Sequence, residues 1–345
     1  MLKVLKLIVL VLFILAGISC LTDPVELGEH DDYVAQFDLV WSTYDQEYIG
    51  FIFLDLDWDA VYDQYRPEVG EIQSQQELVD LLLQMLALLE DLHIWIFAPD
   101  GLVFGSYSPS VQDNYRMSVL WTYIDSLSTG GFTFWDADST WGYAMFDSIP
   151  YVMVTGMHEY LNVDHLTNLI ENVPDAPAMI IDVRMNSGGH SSTAYQLLRR
   201  ICTEDGLAYY WVYRNGPEHD DLSEPEPVYN YSLSTCFDRP VIVLIGEGCA
   251  SATEGFALRA DVLPHVILAG DTTMREVNAN DPIYSELAGG YEYSLPIATI
   301  LSADSSTWIQ ETGIAPDVYI EATIEDFNQG IDPVLEYALE WAASQ

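Results

Sequence analysis

From Ile149 onward the chain alternates short apolar runs with segments of helical pattern, and this alternation restricts the fold more than any other feature. Strands are read over 150–155, 178–183, 240–245 and 265–268, and helices over 164–172, 191–202, 250–260 and 332–343. A strand-then-helix order of this kind builds an α/β core, and the loops leaving the C-terminal ends of its strands form the functional site. With 50% of residues apolar and 12% aromatic, the chain has enough material for a sizeable core.

The region before this core has a different texture. Tyr33, Phe37, Val40, Trp41 and Tyr44 recur at helical spacing, 58–65 forms a second short segment, and 78–89 a third, strongly apolar one. Ser74-Gln75-Gln76-Glu77 has the spacing of a capping box opening that third helix. A helical domain is therefore expected over 31–98, with a Gly- and Ser-rich linker and strands over 99–148 joining it to the core at 149–345. Residues 1–19 read as a signal peptide: Lys3 and Lys6 form a basic start, Leu7 to Ala16 an apolar run, and small residues precede Cys20. The run is short for a permanent bilayer anchor. The stretch Leu15 to Cys20 resembles a bacterial lipoprotein processing site, with Gly17 where an aliphatic residue is usual. Export is expected, with membrane attachment through a lipidated Cys20 or plain secretion as the two routes.

Charge narrows the chemistry. There are 54 Asp+Glu against 11 Lys+Arg, a formal net charge of −43, and both lysines lie in the leader. Nine arginines cannot neutralise a run of phosphates against that background, so a nucleic-acid partner is excluded. Mechanisms that require a lysine base or a Schiff base are excluded from the mature body as well. Beyond Cys20 there are three cysteines. An exported location permits a disulfide, with Cys202 and Cys236 the expected pair because Cys249 lies inside a motif; the sequence does not set this connectivity.

Three loops carry residues suited to chemistry. Asp182-Val183-Arg184-Met185-Asn186-Ser187-Gly188-Gly189-His190 joins a strand to a helix, and its paired glycines allow backbone N–H groups to converge on an oxyanion. Gly246 to Glu254 does the same, with Ser251 placed as an exposed nucleophile at the start of a helix. The same Ser251, with Glu254 three residues later, also suits a helix cap. Leu89-Glu90-Asp91-Leu92-His93 ends the apolar helix, and His93 there reads either as a terminal cap or as a base.

Together these loops resemble one family, the serine peptidases that include the C-terminal processing (tail-specific) proteases and the tricorn core. Asp182 to Gly189 is similar to that family's Asp-hydrophobic-Arg-x-Asn-x-Gly-Gly, and Gly248 to Glu254 to its nucleophile motif. Leu89 to His93 is similar to the Leu-x-Asp-x-His of the tricorn-like branch, Gly313 to Asp317 to Gly-Val-x-Pro-Asp, and Asp332 to Glu336 to the closing helix. The resemblance implies a crotonase-like α/β core with a small N-terminal helical domain. It leaves little room for the PDZ domain that many relatives carry.

The resemblance also implies roles. Ser251 holds the nucleophile position. One branch uses a lysine base within the stretch corresponding to 271–276, where this chain has none, and Arg275 cannot replace it because a guanidinium stays protonated. The other branch uses the histidine occupied here by His93, with His190 as a competing base. Its orienting glutamate falls at Gln310, so Glu311 is the carboxylate expected to orient His93. Oxyanion donors are the amides of Gly188 or Gly189 and of Ala252. The implied activity is cleavage of peptide bonds in a peptide or protein substrate through an acyl-enzyme, with no metal or organic cofactor. Leu92, Gln310 and Arg275 depart from the pattern, and the alternative is a catalytically inactive ligand-binding protein on the same fold.

Overall fold

Seven strands make the central sheet, in the spatial order Val318–Tyr319, Val266–Gly270, Val241–Ile245, Met179–Asp182, Ile149–Val154, Trp141–Phe146 and Phe132–Phe134. The first five run parallel, and the last two are added by antiparallel pairings, so that only Trp141–Phe146 runs against the rest. Side chains on a strand alternate between faces, so each apolar run feeds two cores. Val241, Val243 and Ile245 pack with Leu197, Phe256 and Ala257 of the helices Ser191–Leu198 and Ala252–Asp261. Ile242 and Leu244 face the opposite way, toward Leu120 and Ile124 of Met117–Leu127 and toward Leu335 and Ala338 of Pro333–Ala343. Helices on both faces explain why these strands are apolar throughout.

This computed structural model describes residues 33–280 and 285–345, and Tyr33–Gln345 form a single unit. The signal peptide expected over 1–19, and Cys20, lie outside the described residues. Among the described residues no helix is long and apolar enough to cross a membrane.

The N-terminal helices Tyr33–Glu47, Trp58–Tyr65 and Gln75–Leu86 enclose an aromatic core in which Trp41 stacks on Trp58 with centroids 6.4 Å apart. Each of these indoles donates to the other residue's carbonyl, at 3.1 and 3.2 Å. Ser74 caps the third helix by accepting the Glu77 amide, but the Glu77 carboxylate takes the Gln73 amide rather than that of Ser74. Two further four-stranded sheets, which the strand reading over the core did not include, complete the molecule. One pairs Trp95–Phe97 with Val103–Gly105 and with Tyr291–Tyr293, and its Tyr293 enters the helical core. The other pairs Gly206–Tyr213 with Glu226–Asn230 and Pro296–Ser302. The stretch 99–148 holds the helix Met117–Leu127 besides its strands, because Val119, Leu120 and Ile124 bury one face against the sheet.

Candidate active site

The site lies where the parallel strands end. Behind it, Arg184 is fully buried and holds two carboxylates at once: Asp182 at 2.8 Å and Asp332 at 2.9 Å. Asp332 also caps the C-terminal helix by accepting the Leu335 amide at 3.0 Å, and Tyr151 donates to Asp182 at 2.8 Å. One guanidinium serves both carboxylates, and the turn after Met179–Asp182 is fixed by it.

That turn leads to the glycines. Asn186, buried, donates to the Val154 carbonyl and accepts the Gly188 amide at 2.9 Å. Gly188 has φ 109°, and a Cβ there would stand 2.8 Å from the Ser251 Cβ and 3.3 Å from the Ala252 nitrogen. The glycine is thus required by close approach of the two loops. Its N–H, however, is engaged by Asn186. Among the described residues, neither the Gly189 amide nor that of Ala252, the first residue of its helix, is taken up by a carbonyl or side chain. The expected donor pair is therefore narrowed to Gly189 with Ala252.

Ser251 sits at the N-cap of Ala252–Asp261 with φ 56° and ψ −122°. An ordinary N-cap is extended. A positive φ at a residue with a Cβ is strained, and at this strand-to-helix elbow Ser251 with Glu254 also forms the capping box that their spacing suits. The elbow is held from within by Glu254, which is fully buried and accepts the amides of Ser251, Arg275 and Glu276 and the Thr273 hydroxyl. Burial pushes Glu254 up to about 7 despite these donors. Cys249 is buried with its thiol donating to the Val183 carbonyl, and burial pushes its pKa up, so it is a packing residue and no nucleophile. Cys202, Cys236 and Cys249 are all free thiols, so the disulfide expected between the first two is not formed.

His93 arrives from the helical side. After the turn Ala87–Leu89, Glu90 adopts a left-handed conformation with φ 48°, which ends the helix and redirects the chain. Asp91 then accepts the His93 amide at 2.8 Å, and its Oδ1 stands 3.5 Å from His93 Nδ1. Ser294, just after the strand Tyr291–Tyr293, donates its hydroxyl to the His93 carbonyl. Asp91 is fixed in turn by Tyr48 at 3.0 Å and Asn278 at 2.9 Å. Burial raises Asp91, but the His93 and Asn278 hydrogen bonds and the neighbouring imidazole outweigh it and hold the carboxyl below its usual range.

The two halves meet at Glu276. Its carbonyl accepts the Ser251 amide at 2.9 Å, while its carboxyl accepts the Leu92 amide at 3.2 Å. Ligand atoms of Asp91, His93 and Glu276 all lie within 4.8 Å of one another, and all three residues are buried. Burial, then the Asp91 charge, push Glu276 up to about 8. Sequence reasoning placed the orienting carboxylate at Glu311. That residue is exposed on the short helix Ile309–Thr312, whereas its neighbour Gln310 accepts the Val277 and Asn278 amides. The carboxylates gathered at His93 are Asp91 and Glu276 instead, because the left-handed turn folds Asp91 back onto the ring and the 271–276 loop passes beneath it. The signal for both was present: Asp91 lies two residues before the histidine, and Glu276 falls in the stretch searched for a lysine. His190 is exposed at the N-cap of its helix, away from any carboxylate cluster.

The strained serine elbow and the loop that carries the carboxylate-flanked histidine are joined through Glu276, on a crotonase-like α/β fold that belongs to serine-type peptidases. The chain belongs to peptidase family S41: the profile described as Peptidase family S41 matches residues 148–320, half of its length, and that described as Tricorn protease C1 domain matches 30–87. It is 27% identical over 177 residues to carboxy-terminal processing protease CtpA of Bacillus subtilis (strain 168), covering 51% of this chain and 35% of the relative. To tricorn protease of Thermoplasma volcanium it is 28% identical over 192 residues, 56% of this chain and 16% of the relative. The chain thus spans about a third or less of the length of these relatives. A solved structure from Parabacteroides merdae ATCC 43184 superposes with a TM-score of 0.77 at 27% identity, over 91% of this chain and 97% of that one.

Proposed function

We propose that the protein is an exported serine endopeptidase in which Ser251 attacks the scissile carbonyl and His93 takes the serine proton, then returns it to the leaving amine. Asp91 orients the imidazole and stabilises its charged form. The Gly189 and Ala252 amides hold the tetrahedral oxyanion, with Gly188 keeping the pocket narrow. The observation that carries this reading is the continuity through Glu276, whose carbonyl binds the Ser251 amide while its carboxyl binds the residue before His93. The CtpA and tricorn relatives are named as proteases, which points to peptide or protein substrates.

A fluorophosphonate probe tests the assignment. Labelling of the full chain that disappears in both Ser251→Ala and His93→Ala supports it. A folded but unlabelled protein would favour the ligand-binding alternative, to which the departures at Leu92, Gln310 and Arg275 lend their weight. Export through the 1–19 leader and lipidation at Cys20 are tested by palmitate incorporation, which should vanish in Cys20→Ala.

A further inference from the structure

The cluster beside the nucleophile gathers one imidazole and two carboxyl groups in a buried space. Asp91, His93 and Glu276 are 1%, 6% and 5% exposed, and no arginine or lysine is hydrogen-bonded or ion-paired to either carboxylate among the described residues. The fixed donors are neutral: the Tyr48 hydroxyl, the Asn278 side-chain amide and the His93 backbone amide to Asp91, and the Leu92 amide and the Gln310 side chain to Glu276. Asn278, 2% exposed, reaches into the cluster through Nδ2, and its Oδ1 has no hydrogen-bond partner. The two ends of a carboxamide exchange by rotation, so the same side chain can present an oxygen to the cluster.

We propose that Asp91, His93 and Glu276 form a binding site for a divalent transition ion of the zinc class, and that its occupation shuts the peptidase off. One imidazole and two carboxylates are a donor set that zinc accepts, with three protein ligands and a fourth position open to water or to the Asn278 oxygen. Ligand atoms on a tetrahedral zinc stand about 3.3 Å apart given bonds near 2.0 Å. The His93 Nδ1 to Asp91 Oδ1 separation is already 3.5 Å, and one ligand atom from each of the three residues lies within 4.8 Å of the others, so small side-chain adjustments would close the site. Half-buried Leu92 and Ser251 adjoin the cluster, each donating its amide to Glu276. A bound ion takes the lone pair of one ring nitrogen and leaves the proton on the other, so the ring can no longer accept the Ser251 proton. The shut-off rests on the reading of His93 as the base; binding of the ion does not.

Cobalt(II) titration of the Ser251→Ala full chain, in excess magnesium to fill surface carboxylates, reads the site without needing activity. One equivalent should bind with the intense visible bands of a four-coordinate nitrogen and oxygen site and no thiolate charge-transfer band, and zinc should displace it. Glu276→Gln and Asp91→Asn, each checked for native denaturation behaviour, should weaken binding about 100-fold or more. His219→Gln, which removes the surface imidazole 3.0 Å from Asp45, should leave it unchanged. Weak six-coordinate bands, a thiolate band, or affinity indifferent to both carboxylate variants would overturn the proposal, the first of these without any variant. In the unmutated protein, zinc should suppress fluorophosphonate labelling and a chelator restore it. Specific cobalt binding by a chain that never labels would leave the metal site standing and remove the peptidase reading instead.

Discussion

Two buried clusters of charge lie at the strand ends, and they are built on opposite principles. Around Arg184, one guanidinium is shared by Asp182 and Asp332, with a helix N-terminus and the Tyr151 hydroxyl completing the set. Around His93, the carboxyls of Asp91 and Glu276 are crowded without a permanent cation, and Glu276 is pushed up to about 8. The first cluster is a satisfied joint that fixes the motif loop to the last helix. The second carries unresolved electrostatic tension, and groups held so are candidates for a change of charge state during a reaction.

If that contrast is right, damage to the second cluster abolishes chemistry while damage to the first abolishes the fold. The largest effect is expected from His93→Ala, which should lower the acylation rate by about 10⁴-fold or more while the denaturant midpoint barely moves. A retained rate would transfer the base role to His190. Next, Asp91→Asn should cost about 10²–10⁴-fold in rate, and Glu311→Ala less than about twofold. Equal losses from the two would restore Glu311 as the orienting group. On the other side, Arg184→Met should cost about 3–5 kcal/mol of stability, read by denaturant unfolding, because it strands two buried carboxylates. A loss below about 1 kcal/mol would show that the joint is not what holds the loop.

The smallest expected effect is a pH slope. Glu254 and Glu276 have folded-state pKa values raised to about 7 and about 8, so between the unfolded carboxyl value and those values the folded chain holds protons that the unfolded chain has released. Stability measured in chelator should therefore fall as pH rises from about 5 to about 8 and level off above. Stability that rises across this window would contradict the crowding.

Much of this was legible in advance for a physical reason. The strands Met179–Asp182 and Val241–Ile245 and the helices beside them follow from local apolar pattern, and the turns after them carry glycines that only a close backbone approach requires. The small sheets were not legible, since their short strands gain regularity only from partners far along the chain, such as Trp95–Phe97 with Tyr291–Tyr293. The helix Met117–Leu127 was hidden because its aromatic neighbours at 132–135 dominate the pattern of that stretch.

The sequence by itself determined the α/β core, the serine at a strand-to-helix junction and the absence of a lysine base, since each rests on residue type and local order. Which amides are free, and which carboxylates meet His93, only the tertiary structure decided. The Gly188 N–H is spent on Asn186, and Glu276 lies 183 positions after His93 yet shares its pocket. Hydrogen-bond competition and long-range packing set both, and neither leaves a trace in local spacing.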